Sequence, residues 1–214
     1  KNPLVVLDDA DPESAAEGAV RACFANAGQL CISTERLYVH EDVYDDFLDA
    51  FVAATRGLSL GAEIGYGADV GSMQSQAQLD KVRSHVEDAV EKGAGVLAGG
   101  RARPDVGPYC YEPTVLTGVT PEMVAFDEET FGPAVAVYEV ESVDEAVERA
   151  NDSEYGLNAS VWTGDPERGE RIAERIECGT VNVNEGYVAA WASVDAPMGG
   201  MGDSGIGRRH GDVG

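Results

Sequence analysis

Apolar residues in this chain alternate between short runs with strand character and longer windows at helical spacing, and that alternation restricts the fold more than any other feature. Runs at 4–7, 36–40, 95–98, 114–117, 158–162 and 180–183 read as strands, and Ala134-Val135-Ala136-Val137-Tyr138-Glu139-Val140 is the strongest of them. Between them lie amphipathic windows. Asp11-Pro12 opens a helix with an acid at its cap and proline in its first turn, and Ala16, Ala19, Val20 and Cys23 form its inner face. Val43, Phe47, Ala50 and Phe51 line a second helix, and Leu79, Val82, Val86 and Val90 line a third over 74–92 that stops at Gly93. Ser142 with Glu145 makes a capping box, and Asp165-Pro166 starts a further helix that Gly179 should end. The expectation is an α/β layered fold with crossover helices, in one domain over 1–214, because no proline- or serine-rich linker divides it. Residues 61–72 and the glycines from Gly199 to Gly207 read as loops, the latter as a mobile crossing; no strand–GxGxxG–helix unit surrounds them, so a dinucleotide fingerprint is absent.

Charge excludes several partners. Thirty-nine acidic against 15 basic residues give a formal net charge of −24, which disfavours nucleic acid and anionic membranes. The acids are dispersed, as in Glu41-Asp42, Glu87-Asp88 and Asp144-Glu145, and lysine occurs only at Lys1, Lys81 and Lys92. This resembles the surfaces of proteins from salt-loving organisms, where concentrated salt screens self-repulsion. No run of about eighteen apolar residues and no signal-type N-terminus is present.

Four cysteines, Cys23, Cys31, Cys110 and Cys178, show no CxxC spacing and no neighbouring histidines, so neither a metal site nor a disulfide framework is expected; reduced thiols in a cytoplasm fit. Cys31 stands apart. It lies in Phe24-Ala25-Asn26-Ala27-Gly28-Gln29-Leu30-Cys31-Ile32-Ser33, where small residues let backbone and substrate approach a thiol. A backbone N–H there would steady an oxyanion. Taken alone, the cysteine is more readily a buried small hydrophobe, the usual fate of a lone cysteine.

Three further segments accompany it in order: Glu128-Glu129-Thr130-Phe131-Gly132-Pro133, Asn151 to Leu157 with Tyr155-Gly156-Leu157, and Pro197-Met198-Gly199-Gly200 with Ser204-Gly205-Ile206-Gly207-Arg208. Together with the Cys31 segment they resemble the catalytic domain of aldehyde dehydrogenases, over essentially the whole chain. The resemblance implies an open, largely parallel twisted sheet with flanking helices. It also implies NAD or NADP as cofactor and an aldehyde as substrate. Cys31 would be the nucleophile that carries the acyl group as a thioester, Glu129 would hold the nicotinamide ribose hydroxyls and Phe131 would pack near the ring. Lys81, near Gln78, either reaches the cofactor or is a solvated helical lysine.

Residues 182–186 and 196–211 are most similar to the succinate-semialdehyde dehydrogenase branch. Its carboxylate-gripping arginine and serine are here Ala25 and Ala192, with Ser193 adjacent. The resemblance therefore leaves open another carboxylate-binding residue or a less polar aldehyde, for which Tyr187, Val188 and Trp191 would supply apolar walls. Lys1 resembles the lysine of the family's E-L-G-G-K segment, which would put the general base upstream, along with the nucleotide-binding domain. An oligomerising tail would follow Gly214 in a homo-oligomer, and the 214 residues alone should be nearly inactive. Competing readings are a standalone acidic binding domain, and a non-redox thiol enzyme, for which no histidine or aspartate lies at a recognisable spacing.

Overall fold

The computed structural model describes residues 1–213. The chain runs β1 (Asn2–Val6), α1 (Pro12–Phe24), β2 (Thr34–His40), α2 (Glu41–Gly57), α3 (Gln76–Glu91), β3 (Gly95–Ala98), β4 (Thr114–Thr117), α4 (Val124–Asp127), β5 (Ala134–Val140), α5 (Val143–Asn151), β6 (Tyr155–Gly156), β7 (Asn158–Trp162), α6 (Pro166–Ala173), β8 (Thr180–Val183), α7 (Val188–Ala192) and β9 (Met201–Gly202). Seven strands form one sheet in the order β3-β4-β5-β2-β1-β7-β8. All its pairings are parallel except that of β3 with β4 at one edge. The near-continuous apolar runs of the central strands follow from burial on both faces, and Leu4, Val5, Val6, Leu37 and Val39 are fully buried. This is the α/β architecture expected from the alternation.

Helix boundaries follow their capping chemistry. The Asp11 carboxylate accepts from Ser14 N–H ahead of Pro12, Ser142 Oγ accepts from Glu145 N–H, and Asp165 accepts from Glu167 N–H ahead of Pro166. Phe47 and Phe51 of α2 stack on one another, and Phe51 stacks on Phe24 of α1, joining the two helices on one face of the sheet.

Three expectations are corrected. In α3 the inner face includes His85 and Ala89, so the buried stripe is rotated and Val90 falls at its margin, exposed. Helix α6 ends at Ala173, well before Gly179. A Cβ on Gly179 would lie 1.5 Å from the Gly199 carbonyl oxygen, so this glycine serves close backbone approach rather than a helix end. The glycine-rich segment is correspondingly docked and not a free crossing: β9 pairs antiparallel with β6, and Ser204 Oγ accepts from Gly156 N–H.

Candidate active site

Cys31 is the exposed cysteine; Cys23, Cys110 and Cys178 are buried. Burial pushes those three thiols up, Cys178 to about 11, so they stay protonated near neutrality. Cys31 sits inside a tight turn closed by Ser33 N–H donating to the Leu30 carbonyl at 2.9 Å. The approach to that turn is unusual. Asn26, Ala27 and Gly28 are all left-handed, with φ of 52°, 55° and 68°. For the two non-glycine residues this costs on the order of 1–2 kcal/mol each, which the surroundings must hold in place.

What holds it is visible at Gly28. A Cβ there would lie 2.3 Å from the Gly132 carbonyl oxygen, so the Cys31 segment presses directly on the 128–133 segment. Glu129 is half-buried and Phe131 is left-handed with φ 52°. Burial and then the Glu129 charge raise the pKa of the Tyr155 phenol in β6. Phe131 lines an open cavity of about 600 Å³ with Asn26, Gln29, Met73 and Tyr109. An aromatic wall and a half-exposed carboxylate beside the nucleophile turn suit the ring and ribose end of a dinucleotide. Gln78 of α3 anchors the same segment. Its Nε2 donates to the carbonyls of Thr130 and Phe131 at 3.0 and 2.8 Å.

Sequence reasoning missed a second layer of buried polar residues. Glu35 accepts from Thr130 N–H and Phe131 N–H, both at 2.9 Å, and from Lys1 Nζ at 2.8 Å. Burial pushes its carboxyl up, but the Lys1 ammonium and these hydrogen bonds outweigh that and leave its pKa below the ordinary carboxylate value. Asn2 Nδ2 donates to the carbonyls of Cys31 and Ser33, and Asn2 Oδ1 accepts from Asn158 N–H. Asn158 Nδ2 in turn donates to Ile32 and Gly186 carbonyls, and Asn182 Nδ2 donates to Asn158 Oδ1. Asn2 at the start of β1, Asn158 at the start of β7 and Asn182 within β8 thus fix the backbone around the thiol. Their signal was an amide or a charge within apolar strand runs, which burial makes costly unless each is paired.

Ala25 caps α1 half-buried, and Ala192 ends α7 exposed. Tyr187 is half-buried and Val188 and Trp191 are exposed, so these apolar side chains do not wall an enclosed space. Lys81 is half-buried on α3.

An exposed thiol on a strained turn, beside a segment that presents a carboxylate and an aromatic ring, defines an α/β domain with an accessible thiol at its candidate site. Residues 1–214 match the family described as the aldehyde dehydrogenase family, and the chain belongs to it. A Mycobacterium tuberculosis protein named as a candidate succinate-semialdehyde dehydrogenase [NADP(+)] 2 is 58% identical over 214 residues, covering all of this chain and 41% of that relative. The chain thus spans about two-fifths of the length of the curated relatives it matches. The crystal structure of succinate-semialdehyde dehydrogenase from Burkholderia pseudomallei is 42% identical with a TM-score of 0.90, covering 99% of this chain and 43% of the other. A betaine aldehyde dehydrogenase from Staphylococcus aureus, in complex with NAD+ and with a BME-modified cysteine, is 34% identical with a TM-score of 0.93 and covers 100% and 43%.

Proposed function

We propose that these 214 residues are the thiol-bearing catalytic domain of an NAD(P)-dependent aldehyde dehydrogenase. The observation that carries this is the contact of Gly28 with Gly132, which sets the turn of Cys31 against the segment bearing Glu129 and Phe131. Cys31 Sγ attacks the aldehyde carbon to give a hemithioacetal, whose oxidation leaves an acyl thioester on the same sulfur. Water then releases the carboxylic acid and regenerates the thiol. Bound NAD(P) supplies the hydride acceptor. Glu129 is the acceptor for the ribose hydroxyls, and Phe131 packs beside the ring.

Succinate semialdehyde is the leading substrate, on the 58% identity with a protein of that name, and NADP is the leading cofactor for the same reason. With alanine at positions 25 and 192, its carboxylate is gripped by other groups. The nucleotide-binding domain and an oligomerising segment belong to the longer enzyme, a cytoplasmic homo-oligomer. The acidic surface adapts it to salt. Full-length protein mixed with succinate semialdehyde or betaine aldehyde and either NADP+ or NAD+ should accumulate reduced cofactor, and Cys31→Ala should abolish it. Turnover retained by Cys31→Ala, or none with any aldehyde, would sink the assignment.

A further inference from the structure

We propose that Glu35 is a positioning residue for the cofactor: its buried carboxylate shapes the 129–131 backbone that meets the dinucleotide, and so sets cofactor affinity without touching substrate or thiol. The inference rests on the assignment of Glu129 and Phe131 to that segment. Thr130 and Phe131 belong to no strand or helix, so their peptide groups lack ladder partners. Side chains supply them instead. Glu35 takes both N–H groups and Gln78 Nε2 gives to both carbonyls. Thr130 Oγ1 lies 3.2 Å from His85 Nδ1, and burial followed by the nearby Lys81 charge lowers the pKa of that imidazole, keeping it neutral.

This clamp accounts for the left-handed Phe131. A carboxylate that receives two successive N–H groups turns both toward one point, the geometry of an anion-holding nest, here filled from within the chain. Phe131 then lines the cavity beside the turn of Cys31, and Glu129 precedes the clamped pair on the same half-buried stretch. Lys1 Nζ on the same carboxylate neutralises a charge that is 4% exposed and would otherwise be expensive to bury. Because Glu35 lies four residues beyond Cys31 on the chain that enters β2, one short stretch delivers both the thiol and the anchor of the segment opposite it.

Glu35→Asp keeps the charge for Lys1 but is too short to span both N–H groups. Glu35→Gln keeps one acceptor and sets an amide donor against the second N–H or the ammonium. Both are to be made in the full-length enzyme, with affinity read from the fluorescence of bound NADPH, alongside KM for NADP+, kcat at saturating cofactor and the rate of Cys31 alkylation by iodoacetamide. Cofactor dissociation constant and KM should rise about tenfold or more, as for a lost charge-assisted bond, while kcat and alkylation stay within about threefold. Unchanged NADPH binding in either folded variant overturns the proposal, as does a parallel fall in binding and alkylation, the mark of general loosening. Wild-type protein that binds neither NADPH nor NADH overturns the functional assignment as well. Should both variants fail to fold, Lys1→Met with Glu35→Gln removes the pair as a unit, and the same outcomes decide.

Discussion

The two ends of the parallel sheet are built differently. At the carboxyl ends of the strands the connections are short turns into capped helices, and their charges pair near the surface. Arg168 bridges Asp8 and Asp9, and Thr163 Oγ1 donates to Asp9. At the amino ends lie Cys31, the 128–133 segment, and the buried side chains of Lys1, Asn2, Glu35, Asn158 and Asn182. Four left-handed residues, Asn26, Ala27, Gly28 and Phe131, are gathered there too. Open α/β sheets ordinarily place ligands at the carboxyl ends. Here strain and buried polarity accumulate at the opposite end, where local preference yields to long-range contacts.

That contrast can be broken by substitution. Cys31→Ala in the full-length enzyme should lower kcat for aldehyde oxidation by on the order of 10⁴-fold or more with an unchanged melting temperature. Asp165→Ala at the opposite edge should cost about 1 kcal/mol of stability through its lost cap and leave kcat intact. Activity lost equally at both ends would erase the distinction. Asn158→Ala removes the amide that joins Ile32, Gly186 and Asn182 while keeping the backbone N–H that Asn2 Oδ1 accepts, an expected loss of about 1–3 kcal/mol in urea unfolding together with reduced kcat. Gly28→Ala meets both a φ of 68° and the Gly132 carbonyl, so its expected cost is about 1–3 kcal/mol, again with activity falling alongside stability.

Smaller effects come from the charged surface. The hydrogen bond from Arg168 holds the Asp8 carboxyl below its ordinary value of 3.8. A folded-state pKa depressed in this way contributes stability above 3.8 that disappears as pH falls through the folded value, so acid unfolding of Arg168→Met should lack that component. With a net charge of −24, the melting temperature should climb as salt is added; a flat response would remove self-repulsion from the account.

Much of this was legible in the residues. Strands announced themselves through β-branched runs, and the helices through Asp11-Pro12, Ser142 and Asp165-Pro166, because these signals act within a few residues of where they are read. Cys31, Glu129 and Phe131 were singled out from segments whose order mattered, and the structure sets the first of those segments against the second. What stayed hidden was long-range. Nothing near Glu35 says that it will receive Thr130 and Phe131, and nothing near Gly179 says that the Gly199 carbonyl will rest against it. The exposed Val90 was missed because the stripe of α3 is set by what covers it, including His85 against Thr130.

The contact between Gly28 and Gly132 also bears on how such chains diversify. Since the carbonyl of one fills the space a side chain would need on the other, bulk cannot be introduced at position 28 by adjusting its neighbours in sequence alone. Every residue at 132 carries the same carbonyl, so no exchange there makes room, and across many homologous sequences glycine at 28 should be held fixed independently of 132, whose own missing Cβ leaves room for Val82.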